Sequence, residues 1–114
     1  MAFSDEEITL CSALASAFCE RRVPAHVYHQ AWLGFKIDGQ SIILIEYRVH
    51  WKDKTKTIAH QIAKTTFNRR SGEWKVFWLR ASLRWWANEP CPTVSSFEEF
   101  LEEVDQDECA CFFG

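Results

Sequence analysis

Hydrophobic positions along the chain change period twice. From residue 5 to residue 22 they recur at helical spacing: wound at 100° per residue, Ile8, Cys11, Leu14, Ala15 and Phe18 gather in a stripe about 120° wide, as for a helix lying on a core. Ser4 and Glu7 supply the S-x-x-E box that satisfies free backbone N–H groups at a helix start, and Pro24 ends the helix because the residue before a proline is pushed from helical angles. A helix over 5–22 is predicted, with Cys11 as a small buried hydrophobe.

From His29 the period becomes two. Residues 31–37 read as a first strand and Ser41–Trp51 as a second. Asp38-Gly39 between them predicts a type I′ hairpin turn. The odd positions of the second strand (Ile43, Ile45, Tyr47, Val49, Trp51) are apolar throughout, and the even ones run Ile42, Leu44, Glu46, Arg48, His50. The odd face is thus expected to be core and the even face to turn polar halfway along. After the charged loop 52–56, Thr57–Asn68 alternates weakly and carries many polar residues, the signature of an edge strand. Trp74–Arg80 is apolar on both faces and is expected to be central, with Trp74, Val76 and Phe77 at the core. A short fifth strand is expected over Arg84–Ala87.

Helical spacing returns at the end. Ser95 and Ser96 precede Glu98 and Glu99 in a second capping box, and Phe97, Phe100, Leu101 and Val104 line one face opposite an acidic one. The expectation is one α+β domain: an antiparallel sheet of four to five strands within residues 30–87, helices 5–22 and 96–106 packed on it, and a tail 107–114 docked through Phe112 and Phe113.

Composition adds three constraints. A chain of 114 residues, 47% hydrophobic, can bury a core without a metal or disulfide staple, so no cofactor is needed to explain folding. No apolar run reaches the roughly 20 residues that cross a bilayer, and the acidic start is unlike a secretory signal. A cytoplasmic protein with no membrane association and five reduced cysteines is therefore expected. The net charge of −3 hides an asymmetry: residues 36–84 carry +7, whereas residues 85–114 carry −8 with no Lys or Arg. That basic middle contains Glu73-Trp-Lys-Val-Phe-Trp-Leu-Arg80, part of a stretch to Trp86 holding four of the six tryptophans.

Met-Ala-Phe-Ser at 1–4, Arg22-Val-Pro, Gly39-Gln-Ser, Glu46-x-Arg48-x-x-Trp51, Glu73-Trp-Lys-Val-Phe-Trp-Leu-Arg-Ala and the closing Ala110-Cys-Phe-Phe-Gly form an ordered set. It resembles the bacterial family described as domain of unknown function 3024. The resemblance spans nearly the whole chain and implies a short bacterial cytoplasmic protein. It brings no activity, ligand or catalytic residue with it.

Four kinds of chemistry have candidates. Glu46, Arg48 and His50 alternate on one strand face, so Glu46 and His50 could act as acid and base on an anionic substrate anchored by Arg48 and Arg80. Cross-strand pairing that orients the sheet explains the same pattern. Cys109-Ala-Cys111 with Cys91 is a weak metal set, because no second close pair exists and His26, His29, His50 and His60 are scattered. The basic, aromatic middle fits nucleic-acid binding. Favoured over these is a non-enzymatic binding or interaction module, with Arg48, His50, Trp78, Arg80, Arg84 and Trp85 as contact residues and a homodimer as the first expected partner.

Overall fold

The structure is a computed structural model and describes residues 3–22, 31–50, 52–80, 82–88 and 91–106. Two helices, α1 (Asp5–Arg22) and α2 (Phe97–Gln106), lie with six strands: β1 (Ala31–Asp38), β2 (Ser41–Val49), β3 (Thr57–Asn68), β4 (Glu73–Leu79), β5 (Trp85–Ala87) and β6 (Thr93–Val94). The sheet is an antiparallel meander in the order β1-β2-β3-β4-β5, and β6 also pairs with β4. This is the expected α+β class. The tail 107–114, with Phe112 and Phe113, lies outside the described residues, as do His26, His29 and Trp51.

Both helices start as their sequences dictate. The Ser4 backbone N–H donates to Glu7 at 2.8 Å, and the Glu7 N–H donates to the Ser4 hydroxyl at 3.2 Å. At α2 the Glu99 N–H donates to Ser96 Oγ at 3.1 Å, while Glu99 accepts from both the hydroxyl and the backbone N–H of Ser95. Arg22 ties the two helix ends together, donating to the Asp105 carboxylate at 2.8 Å.

β5 and β6 run in succession along the outer edge of β4. Leu79 pairs with Trp85 and Phe77 with Ala87, then Lys75 with Thr93 and Trp74 with Val94. Val76 spans the gap, accepting from the Asn88 N–H and donating its own N–H to the Pro92 carbonyl, both at 2.9 Å. Asn88 is buried, and its amide reaches the Cys91 carbonyl at 3.3 Å. No pattern in the sequence marks either β6 or this role of Asn88.

Three expectations need correction. β3 is not an edge strand: it pairs with β2 on one side and β4 on the other. Its polar residues fit because Thr65, fully buried, gives its hydroxyl proton to the Lys75 carbonyl at 2.8 Å. The β1–β2 turn is centred on Gly39 and Gln40, with φ +60° at Gly39 alone, the pattern of a type II′ turn. Finally, the helices cover the even face of β2: Ile42 and Leu44 join Ala15, Phe18, Val76, Phe100 and Val104 in the core. Because both faces of β2 open with large apolar residues, its sequence could not say which one the helices take.

The odd face holds a second, smaller buried layer. Ile43 and Ile45 are each only 6% exposed. Neighbours on the same face shield them. Tyr47 leans over Gly34, where an added Cβ would lie 2.9 Å from the Tyr47 ring, and Trp32 stacks on Tyr47 with centroids 5.6 Å apart. Further across, the Lys64 ammonium lies 5.0 Å from the Phe77 centroid and 5.2 Å from the Trp85 centroid. The alkyl stem of a lysine placed this way covers apolar surface while its charge stays outside.

Candidate functional site

Pairing fixes which candidates share a surface, since residues opposite one another in antiparallel strands point to one face. Trp78 pairs with Ala63 and with Trp86, placing both tryptophans on the helix-bearing face. Alternation puts Arg80, Glu46 and Arg48 on that face as well. Trp85 pairs with Leu79 and lies on the opposite face, so it does not join Trp78 and Arg80.

The β4–β5 hairpin end is the best-defined group. The Arg80 N–H donates to the Arg84 carbonyl at 3.0 Å, and the Leu83 N–H donates to the Arg80 carbonyl at 2.8 Å. Leu83 adopts φ +63°, the left-handed position that usually belongs to glycine in a three-residue hairpin loop. Its side chain is nonetheless an apolar one, 74% exposed. Beside it the Arg80 guanidinium lies 4.2 Å from the Trp86 ring centroid and 5.7 Å from the Trp78 centroid, within cation–π range of both. Trp86 is 48% exposed and Arg84 is exposed. An exposed leucine, an exposed indole and two arginines thus share one tip. The sequence stretch 73–86 pointed to this end of the sheet, but nothing in it signalled the left-handed leucine.

The Glu46–Arg48–His50 row is committed to other work. Arg48 Nε donates to the Glu46 carboxylate at 2.5 Å. His50 Nδ1 accepts the backbone N–H groups of Lys52 and Asp53 at 3.1 and 2.9 Å, and the His50 backbone N–H donates to the Lys56 carbonyl at 2.9 Å. The imidazole therefore caps the β2–β3 turn. In the same turn Asp53 accepts from the hydroxyl and the N–H of Thr55, which holds its carboxyl below the usual range. Four residues along a strand separate Glu46 from His50 by about 13 Å.

Cys91 donates to the Thr93 carbonyl at 3.5 Å, whereas Cys109 and Cys111 lie outside the described residues. No group of three or more His, Cys, Asp or Glu able to hold a metal occurs among the described residues. Cys11 and Cys19 are buried under α1, and burial pushes the Cys19 thiol up to about 11. No described helix is long and apolar enough to cross a membrane.

The family model of the domain of unknown function DUF3024 matches residues 3–114, and the chain belongs to that family. Neither the curated proteins nor the solved structures gave a match.

Proposed function

We propose, starting from membership of this family, that the protein is a non-enzymatic binding module that engages an acidic, partly apolar protein segment through the β4–β5 hairpin end. The observation that carries the reading is the guanidinium of Arg80 set over Trp86 beside an exposed Leu83 held at positive φ. Tryptophan and arginine dominate the energetics of protein interfaces, and a cation already stacked on an indole loses little conformational freedom when a carboxylate arrives. Backbone strain kept at an exposed apolar tip has no packing benefit within the chain.

A second reading has an observation of its own. Lys36, Lys64 and Lys75 share the odd face with Trp32, Tyr47, Phe77 and Trp85, a combination that suits the bases and phosphates of a single-stranded nucleic acid. An acid–base role for Glu46 and His50 has less support, because each already serves a structural partner.

Fluorescence anisotropy at ~50 mM salt, where charge contacts are strong, separates the readings. The probes are a labelled Glu/Phe-rich peptide and a labelled oligothymidylate. Peptide binding that Arg80→Glu abolishes and Lys64→Glu spares supports the hairpin end. Oligothymidylate binding with the reverse pattern supports the odd face, and no response to either probe sinks both.

A further inference from the structure

We infer that β1 pairs antiparallel with β1 of a second copy, joining two sheets into one continuous sheet across a twofold axis. The two edges of the sheet are built differently. The β5/β6 edge has strands of only three and two residues, separated in sequence by residues 88–92 with two prolines. Short, broken strands and prolines are how proteins prevent an edge from pairing. β1 has none of this. It is eight residues long, regularly paired with β2 throughout, free of proline, and charged only at Lys36 and Asp38.

The tight turn closes on the pair Asp38–Ser41, so Asp38, Lys36, Gly34 and Trp32 bond inward to β2. The N–H and C=O groups of Ala31, Leu33, Phe35 and Ile37 then turn outward. No backbone hydrogen bond to these outward groups exists among the described residues. A twofold axis normal to the sheet keeps each face continuous and joins residues of like parity. Leu33 then stands opposite the partner's Phe35 or the partner's Ile37, and Lys36 comes beside the partner's Trp32.

A second observation at the same border points the same way. α1 packs on β1, whereas α2 packs on β3, β4 and β6, so α1 lies toward the β1 edge. Cys19 and Glu20 of α1 line a cleft of about 300 Å³ with Trp32 and Leu33, which identifies the flank of α1 turned to β1. At 100° per residue Ile8 and Ser12 share that flank, and no charged residue interrupts it between Asp5 and Glu20. Small, uncharged side chains permit two helices to approach across the axis. β1 lies at the opposite edge of the sheet from the β4–β5 hairpin end, so pairing there is independent of binding at the hairpin.

Sedimentation velocity on the full chain tests it, with hydrogen exchange read by residue. The expected species has twice the 13.4 kDa chain mass, with the Leu33, Phe35 and Ile37 amides protected. Leu33→Pro, which removes one outward donor, should shift the chain to monomer. Ser12→Glu, which leaves the sheet untouched, should weaken the dimer at least tenfold while circular dichroism stays native. A wild-type monomer at high concentration, or a dimer that both folded variants preserve, overturns the inference.

Discussion

The guanidinium of Arg80 lies 4.2 Å from the centroid of Trp86, across a cross-strand pair in which Trp86 faces Trp78. The contact is exposed, so it holds a side-chain arrangement more than it holds the fold. An exposed cation–π contact is worth about 0.5–1 kcal/mol. Arg80→Ala should accordingly lower the unfolding free energy by no more than about 1 kcal/mol in urea denaturation, while Trp86 becomes more accessible to acrylamide quenching. A loss several times larger would mean that Arg80 braces the sheet.

Leu83 makes the opposite prediction. A non-glycine residue in the left-handed region costs roughly 1–2 kcal/mol, partly offset by the greater freedom of glycine in the unfolded chain. Leu83→Gly should therefore stabilise the protein by about 0.5–1 kcal/mol, visible as a higher urea midpoint at unchanged slope. The same substitution should weaken peptide binding, since the exposed side chain is gone. A variant that is less stable would show that Leu83 packs within the domain.

Tyr47 occupies the space a side chain at position 34 would need. A Cβ there would stand 2.9 Å from the Tyr47 ring, which is itself stacked on Trp32. Gly34→Ala should cost about 1–3 kcal/mol, the range for overpacking, and should change the near-ultraviolet circular dichroism of the stacked pair. An unchanged melting temperature would contradict the close approach.

Glu7 gives the fold an acid-sensitive latch. Its carboxylate accepts from Arg69 at 2.6 Å and from the Ser4 N–H, and these bonds, Arg69 foremost, hold its pKa down to about 2 from an ordinary 4.5. A carboxyl depressed in the folded state contributes stability above its unfolded pKa and loses it as pH falls toward the folded one. Stability should therefore decline between about pH 4.5 and 2, and Glu7→Gln should remove part of that slope. The pair is about one-third exposed on each side, so the effect should also shrink with added salt.

Much of the fold was legible because local chemistry dictated it. Ser4 with Glu7 and Ser96 with Glu99 mark both helix starts, and Phe97, Phe100, Leu101 and Val104 are all buried as their spacing requires. Positions set by long-range pairing were not legible. β3 reads as an edge because its polarity is visible in the sequence, while the Lys75 carbonyl that satisfies Thr65 is not. Ile8 belongs to the α1 stripe by spacing yet is 37% exposed. The extra residue Ile62, which breaks register opposite Leu44 and Ile45, has no local signature either. At the candidate site, alternation along β4 puts Trp78 and Arg80 on one face, and the pairing of Trp78 with Ala63 and Trp86 shows which face that is. Trp85 lies on the other face, since the turn at Leu83 decides which face β5 presents.

The indole N–H resonances report directly on the β4–β5 hairpin end proposed as the contact surface. In a titration of the labelled protein with the Glu/Phe-rich peptide, the Trp78 and Trp86 indole signals should shift together while that of buried Trp74 stays fixed. Shifts confined to Trp32 and Trp85, on the opposite face, would contradict the claim.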